Sequence, residues 1–316
     1  MALLLREADV RNLVDIGDAI DALDFAFREW AAGRAQNQPR RRVTAGVTLA
    51  VLSAALPARN LVGYKAYTTG KSGARFWLHL FNATDGRPSA VIEADWLGAL
   101  RTGAVSGLAT RVLAPPEAAT LTIFGAGRQA LTQVLAVAAV RQITEIRIVN
   151  RSPERRAQFA AELRARFPDV RVIESLSARD GVQGAHVITT MTSSPTPLFD
   201  GEWVEAGQHL NAAGCNVSTR REMDARTVSR ADLVVADDLE AASAEAGELL
   251  LAEQEGALDW GGIHSLRDVL TGSVTRSRAS DITLFKSVGL ALEDVALGAV
   301  IIDRARERGV GGRIDL

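Results

Sequence analysis

Two groups of residues in this 316-residue chain have types and spacings that can do chemistry. The first is Gly125-Ala126-Gly127-Arg128-Gln129-Ala130, which follows the apolar run Leu121-Thr122-Ile123-Phe124 and opens an apolar-periodic segment from Ala130 to Val140. A glycine turn between a strand and a helix brings backbone N–H groups and a positive helix end against a dinucleotide pyrophosphate. Gly125 permits the turn, Gly127 leaves room for a phosphate, and Ala130 keeps the third position small. Glycines alone are a weak signature, but the flanking strand and helix make this an NAD or NADP site. The second group is three cations, Arg41, Lys65 and Arg101. Singly, each reads as a solvated surface charge. Lys65 sits in the strand-like run Gly63-Tyr64-Lys65-Ala66-Tyr67, however, and Arg101 precedes a helix of small residues. Converging, they would hold a carboxylate, with arginine giving a bidentate fork and lysine a movable ammonium. Gly70-Lys71-Ser72 is not a phosphate loop, because Lys65 occupies the position where that motif needs its first glycine.

The choice of dinucleotide is written about 20 residues beyond the glycines, where NAD enzymes carry an acidic residue for the ribose hydroxyls. Here the strand Glu145-Ile146-Arg147-Ile148-Val149 ends in Asn150-Arg151-Ser152, without a carboxylate. Arg151 can pair with a 2′-phosphate, and Asn150 and Ser152 offer uncharged hydrogen bonds. NADP(H) is therefore the expected cofactor, with NAD(H) possible.

The elements that must position these groups fall into two regions. In the first, Ile16, Ile20, Leu23, Phe27 and Trp30 mark an amphipathic helix, with Asp15 as N-cap and Gly33 as its stop. Strands over 63–68, 74–81 and 89–94 follow, with Thr84-Asp85-Gly86-Arg87-Pro88 as a hairpin turn. Gly103 to Ala109 reads as a close-packing helix, and Pro115-Pro116 ends it and marks the next domain. Beyond it strands alternate with helices, which implies a parallel sheet. Strands are expected over 121–124, 145–149, 170–173, 186–190, 209–213 and 233–236, with a polar loop over 271–281. The predicted fold class is α/β, a Rossmann nucleotide-binding domain after Pro116 plus a smaller α+β domain before it. The last helix, from Gly289 to Arg306, returns to that first domain.

Composition narrows the function classes. At 47% hydrophobic and 23% charged the chain is an ordinary globular one, and a formal net charge of -2 gives no electrostatic case for nucleic acid. No uninterrupted apolar stretch is long enough to span a bilayer, and no signal peptide is evident, so no membrane role is expected. The single cysteine, Cys215, allows no internal disulfide and fits the cytoplasm, and no Cys/His cluster suggests a metal. His79, His186 and His209 read as structural strand residues, and Cys215 as a small packing residue.

Several motifs, in order along nearly the whole chain, resemble the ornithine cyclodeaminase/mu-crystallin family. They are Pro39-Arg40-Arg41-Arg42-Val43, Gly63-Tyr64-Lys65, Arg101-Thr102-Gly103-Ala104, the glycine loop, Asn211-Ala212-Ala213-Gly214, Arg221-Glu222-Met223-Asp224 and Phe285-Lys286-Ser287-Val288-Gly289-Leu290-Ala291. The resemblance implies a two-domain homodimer, with a substrate-binding and dimerisation domain over 1–115 and 288–316 that pairs through its sheet and the Rossmann domain over 116–287. It places Arg41, Lys65 and Arg101 on the substrate carboxylate and Thr102 on a cofactor phosphate. It makes Asn150-Arg151-Ser152 similar to the NADPH-binding version, and sets Thr190-Met191-Thr192 and Val288-Gly289 beside the nicotinamide half.

Two departures bear on the reaction. Family cyclodeaminases and alanine dehydrogenases carry an aspartate where this chain has Asn216, and an amide is no general base at neutral pH. Thr68 to Gly73 replaces the Pro-x-Asn element that often follows the lysine. The expected activity is an NAD(P)H-dependent oxidoreductase acting on the C–N bond of a small α-imino or α-amino acid. Lys65 would serve as acid and Asn216 would orient the imine nitrogen. The alternatives are ornithine or lysine cyclodeamination on tightly bound NAD, and a non-catalytic NADPH- or ligand-binding protein like mu-crystallin.

Overall fold

The computed structural model describes residues 1–315 and divides into two compact units, residues 1–104 with 289–315 and residues 105–288. The division falls inside a helix rather than at Pro115-Pro116.

The first unit opens with β1 (Ala2–Leu5), α1 (Glu7–Leu13) and α2 (Ile16–Ala31). Asp15 caps α2 by accepting from the Asp18 N–H, as its sequence position indicates. There follow β2 (Gln36–Asn37), β3 (Arg41–Ala45), β4 (Val47–Leu56), β5 (Leu61–Gly70), β6 (Gly73–Asn82), β7 (Pro88–Glu93) and α3 (Asp95–Leu113). β4 to β7 form an antiparallel meander, and β1 adds to β7 in parallel. Gly70 pairs with Gly73, so the Gly-Lys-Ser segment is the tight turn of the β5–β6 hairpin.

Pairing register decides what each strand offers the core. Leu52, Lys65, Leu78 and Ile92 stand opposite one another across β4 to β7, and all are buried. Val51, Ala66 and Trp77 form the outer row, and Arg41 pairs with Val51.

The second unit continues α3 with β8 (Thr120–Phe124), α4 (Ala130–Val140), β9 (Glu145–Val149), α5 (Pro153–Arg166), β10 (Arg171–Glu174), α6 (Ala178–Val182), β11 (Val187–Thr190) and β12 (His209–Ala212). After these come α7 (Ala225–Arg230), β13 (Leu233–Ala236), α8 (Leu239–Glu245), α9 (Gly247–Gln254), β14 (Ile263–Ser265), α10 (Leu266–Leu270) and β15 (Thr283–Lys286). All eight strands are parallel, in the order β10-β9-β8-β11-β12-β15-β13-β14. This is the α/β, Rossmann-type architecture, with its switch point between β8 and β11. β14 and β15 add to the six strands read from the sequence. β15 inserts between β12 and β13, and its short Thr-Leu-Phe-Lys run is buried throughout. Gly107 of α3 lets Ala136 of α4 approach, since a Cβ there would lie 2.9 Å from the Ala136 Cβ.

The chain then returns to the first unit as α11 (Ala291–Arg308) and β16 (Gly312–Ile314). Gly298 brings α11 onto the sheet, because a side chain there would strike Leu78 and Leu80. That close approach sets the first turn of α11 beside Lys65. Among the described residues, no helix is long and apolar enough to cross a membrane, and no cluster of His, Cys, Asp or Glu could hold a metal ion.

Candidate active site

In the second unit the glycine loop leaves β8 at the C-terminal edge of the sheet. Gly125 has φ +114°, and a Cβ on it would lie 2.3 Å from the Met191 carbonyl oxygen, so only glycine serves there. Gly127 faces open space. Gln129 precedes α4 without capping it by a side chain, which leaves first-turn N–H groups for an anion. The cradle fits a dinucleotide pyrophosphate.

At the end of β9 the Asn150 amide donates to the Ser152 carbonyl, and Arg156 donates to the Asn150 carbonyl. Ser152 caps α5 through the Arg155 N–H and gives its hydroxyl to Glu154. Arg151 is exposed at the tip of this loop.

The loops after β11 and β12 are tied by one carboxylate that sequence reading left without a role. Glu222, fully buried, accepts from Thr192 N at 2.7 Å and Thr192 Oγ1 at 2.6 Å on one oxygen. Its other oxygen accepts from Thr190 Oγ1 at 3.0 Å and Gly214 N at 2.9 Å. Burial pushes the Glu222 carboxyl up, while the Thr192 hydrogen bonds and the Lys286 ammonium act the other way. Each oxygen meets a backbone N–H, so the ionised form is the one this pocket fits. Behind it, Glu248 accepts from the Glu222 N–H and pairs with buried Lys286 at 2.7 Å. Lys286 also donates to the Cys215 carbonyl at 2.5 Å. Asp237, at the end of β13, accepts from Ser287 Oγ and from the Val288 N–H at 2.7 Å, which fixes the Val288 backbone. Cys215 is buried with its thiol pushed up by desolvation, the state of a packing residue, and Asn216 follows it half-buried.

In the first unit Lys65 and Arg101 do come together. Lys65, 2% exposed, lies 2.8 Å from Asp294 of α11. Arg101 reaches Glu293 at 2.8 Å through Nη1 and Asp294 at 3.2 Å through Nε. Both carboxylates are fully buried. Burial pulls the Lys65 ammonium down to about 8 from 10.5, against Asp294, which raises it, and with Arg101 and Arg40, which lower it. Thr102, one residue on, gives its hydroxyl to the Gly98 carbonyl.

Arg41 is not part of this cluster. It lies exposed in the outer row of β3, while Arg40 supplies the cation that acts on Lys65. Arg40 stands 6.0 Å from the Tyr67 ring centre and donates to the Gly289 carbonyl at 3.0 Å. Arg40 stands just before β3, whereas Arg41 opens that strand opposite Val51. Gly289 has φ +79°, and a Cβ there would lie 2.4 Å from Arg101 Nη1. This glycine keeps the guanidinium in place. Glu293 and Asp294 went unread in the sequence because acids in a first helical turn normally serve the helix dipole.

The sequence model of the ornithine cyclodeaminase/mu-crystallin family matches residues 1–309. A Delta(1)-pyrroline-2-carboxylate reductase of Bacillus cereus is 31% identical over 325 residues, covering 99% of each chain. The structure of the Thermococcus litoralis Delta(1)-pyrroline-2-carboxylate reductase with NADH and L-proline superposes with a TM-score of 0.93 at 28% identity, over 99% of this chain and 100% of that one. An archaeal alanine dehydrogenase dimer with bound NAD gives the same TM-score and identity over 99% of each chain.

Proposed function

Since the chain belongs to the ornithine cyclodeaminase/mu-crystallin family, we propose that it reduces a small, single-carboxylate α-imino acid, cyclic or formed from a keto acid and an amine. It is an NAD(P)-dependent oxidoreductase acting on the C–N bond of α-imino or α-amino acids. The observation that carries the substrate assignment is the buried Lys65–Arg101 pair with Arg40 beside it. Lys65 and Arg101 meet the carboxylates of Glu293 and Asp294 with Arg40 close by, and this gathering of cations suits an incoming carboxylate. When bound, the reduced nicotinamide supplies the hydride that converts C=N to CH–N. The chain's own part is to orient the carboxylate through the guanidinium fork of Arg101 and to deliver a proton from the Lys65 ammonium to the imine nitrogen. Asn216 orients that nitrogen by hydrogen bonding.

NADP(H) is the preferred dinucleotide in this reading. Arg151 is exposed where NAD enzymes place an acid, while Ser152 is occupied by its cap and by Glu154. Thr102, Gly125 to Gln129, Asn150, Arg151, the Thr190 to Thr192 segment and the Val288–Gly289 backbone form the cofactor contacts. The protein acts as a homodimer in the cytoplasm. Val43, Val47, Leu49 and Val62, all large exposed aliphatics, lie in the outer rows of β3, β4 and β5 and form the face a second copy would cover.

The experiment is to follow NADPH absorbance with cyclic imino acids and with pyruvate plus ammonia or methylamine, running NADH in parallel. Oxidation of NADPH by one of them is expected, with Arg151→Ala raising the KM for NADPH about tenfold and leaving NADH unchanged. No turnover across the panel, or ammonia release from ornithine, overturns the reductase assignment. Equal effects of Arg151→Ala on both dinucleotides overturn the NADP(H) preference.

A further inference from the structure

The first turn of α11 carries Glu293 and Asp294 side by side, both without solvent exposure. Two adjacent buried carboxylates repel one another and lose hydration, so such a pair persists only where cations compensate it. Here the compensation is divided. Asp294 Oδ1 takes Lys65 Nζ at 2.8 Å and Arg101 Nε at 3.2 Å, and Glu293 Oε2 takes Arg101 Nη1 at 2.8 Å. One oxygen thus bridges the two cations, while the neighbouring residue fixes the far side of the guanidinium plane. Gly98 allows this by keeping its turn of α3 small, since a Cβ there would stand 3.0 Å from Lys65 Nζ. The Phe76 ring lies 5.4 Å below the ammonium and closes that side to water.

We propose that Asp294 and Glu293 are positioning residues for imine reduction, Asp294 holding the proton on Lys65 and Glu293 holding the Arg101 fork square to the substrate carboxylate. The proposal rests on the reductase reading above. The charged groups that face Lys65 are Asp294, Arg101 and Arg40. Burial and the two guanidinium groups favour its neutral form, and Asp294 alone among the three opposes them. Without that carboxylate the amine would shed its proton below the pH at which it must donate. Glu293, by contrast, touches Arg101 and not Lys65, so its loss should free the fork without changing the proton.

The two assignments separate in kinetics. Wild-type kcat/KM for a cyclic imino acid should fall along a basic limb near pH 8, where Lys65 loses its proton. In Asp294→Asn that limb should move down by about one pH unit or more, with activity at pH 8 reduced about tenfold. Asp294→Glu should restore part of the shift, and the KM for NADPH should stay within about twofold of wild type in both variants. Glu293→Gln should raise the KM for the imino acid about tenfold and leave the limb where wild type has it. An Asp294→Asn enzyme with the wild-type limb overturns the role of Asp294. A Glu293→Gln enzyme with the wild-type KM overturns that of Glu293, and if Asp294→Asn does not fold, an Asp294→Glu enzyme whose limb has not moved from wild type overturns the role of Asp294. Wild-type protein that turns over no imino acid refutes the reductase reading instead, so the two failures are distinct.

Discussion

The perturbation that most directly tests how the loops after β11 and β12 are held is Glu222→Gln. Its two carboxylate oxygens accept from four donors, and each oxygen serves one backbone N–H, that of Thr192 or that of Gly214. An amide of the same shape has only one acceptor oxygen. Whichever way it turns, its NH2 group faces a backbone N–H that cannot accept. A buried donor left unmade costs about 1–3 kcal/mol, and the bonds that survive lose the strengthening given by the negative charge. The sum is about 3 kcal/mol or more. For a domain of this size that corresponds to a fall in Tm of about 6–12 °C. Residues Thr190 to Thr192 and Gly214 would loosen together, so the KM for NADPH should rise with the fall in stability. Thermal unfolding of wild type and variant, with and without NADPH, reads the first effect, and steady-state kinetics the second. A fall of less than about 2 °C with an unchanged KM would refute the argument that this carboxylate organises the loops.

Three further outcomes follow from the geometry. Lys65→Met should lower kcat by about a hundredfold or more while leaving NADPH binding intact, measured by stopped-flow reduction and by quenching of cofactor fluorescence; undiminished turnover would remove its role as acid. Gly289→Ala forces a Cβ to 2.4 Å from Arg101 Nη1 and holds alanine at φ +79°, so the KM for the imino acid should rise about tenfold with a stability loss of about 1–2 kcal/mol. Wild-type KM in that variant would show that the guanidinium position is not critical. Burial pulls His209 down to about 3 from 6.5, between Thr283 at 2.8 Å and Asn211 at 3.2 Å. Above pH 6.5 the ring is neutral in both folded and unfolded chains; between 6.5 and 3 only the unfolded chain takes up the proton, so stability falls as the pH drops. From pH 6.5 to 5 the loss should be about 2 kcal/mol by urea titration, and His209→Gln should flatten that slope; an equal slope in both proteins would assign the acid sensitivity elsewhere.

The sequence by itself determined the parts of this protein that depend on local chemistry. A glycine that must bend at Gly125 between an apolar strand and an apolar helix and a run Asn150-Arg151-Ser152 with no acid can each be read without knowing what lies nearby. So can the α/β alternation after Pro116, because period and punctuation are carried by neighbours in the chain. What the tertiary structure decided is what comes from far along the chain. β15 is four residues long and ends in a lysine, and it is a central strand only because β12 and β13 supply hydrogen bonds on both sides. Arg40 and Arg41 are indistinguishable by composition, and the fold half-buries the first against Gly289 while leaving the second exposed on β3. Glu293 and Asp294 look like ordinary first-turn acids until α11 returns, over more than 190 residues of intervening chain, to set them on Lys65 and Arg101. Glu222 likewise gains its function only where four donors from two segments converge on it. Local propensity fixes where a side chain starts, whereas burial and pairing across the fold fix which charges meet and in which protonation state they stay.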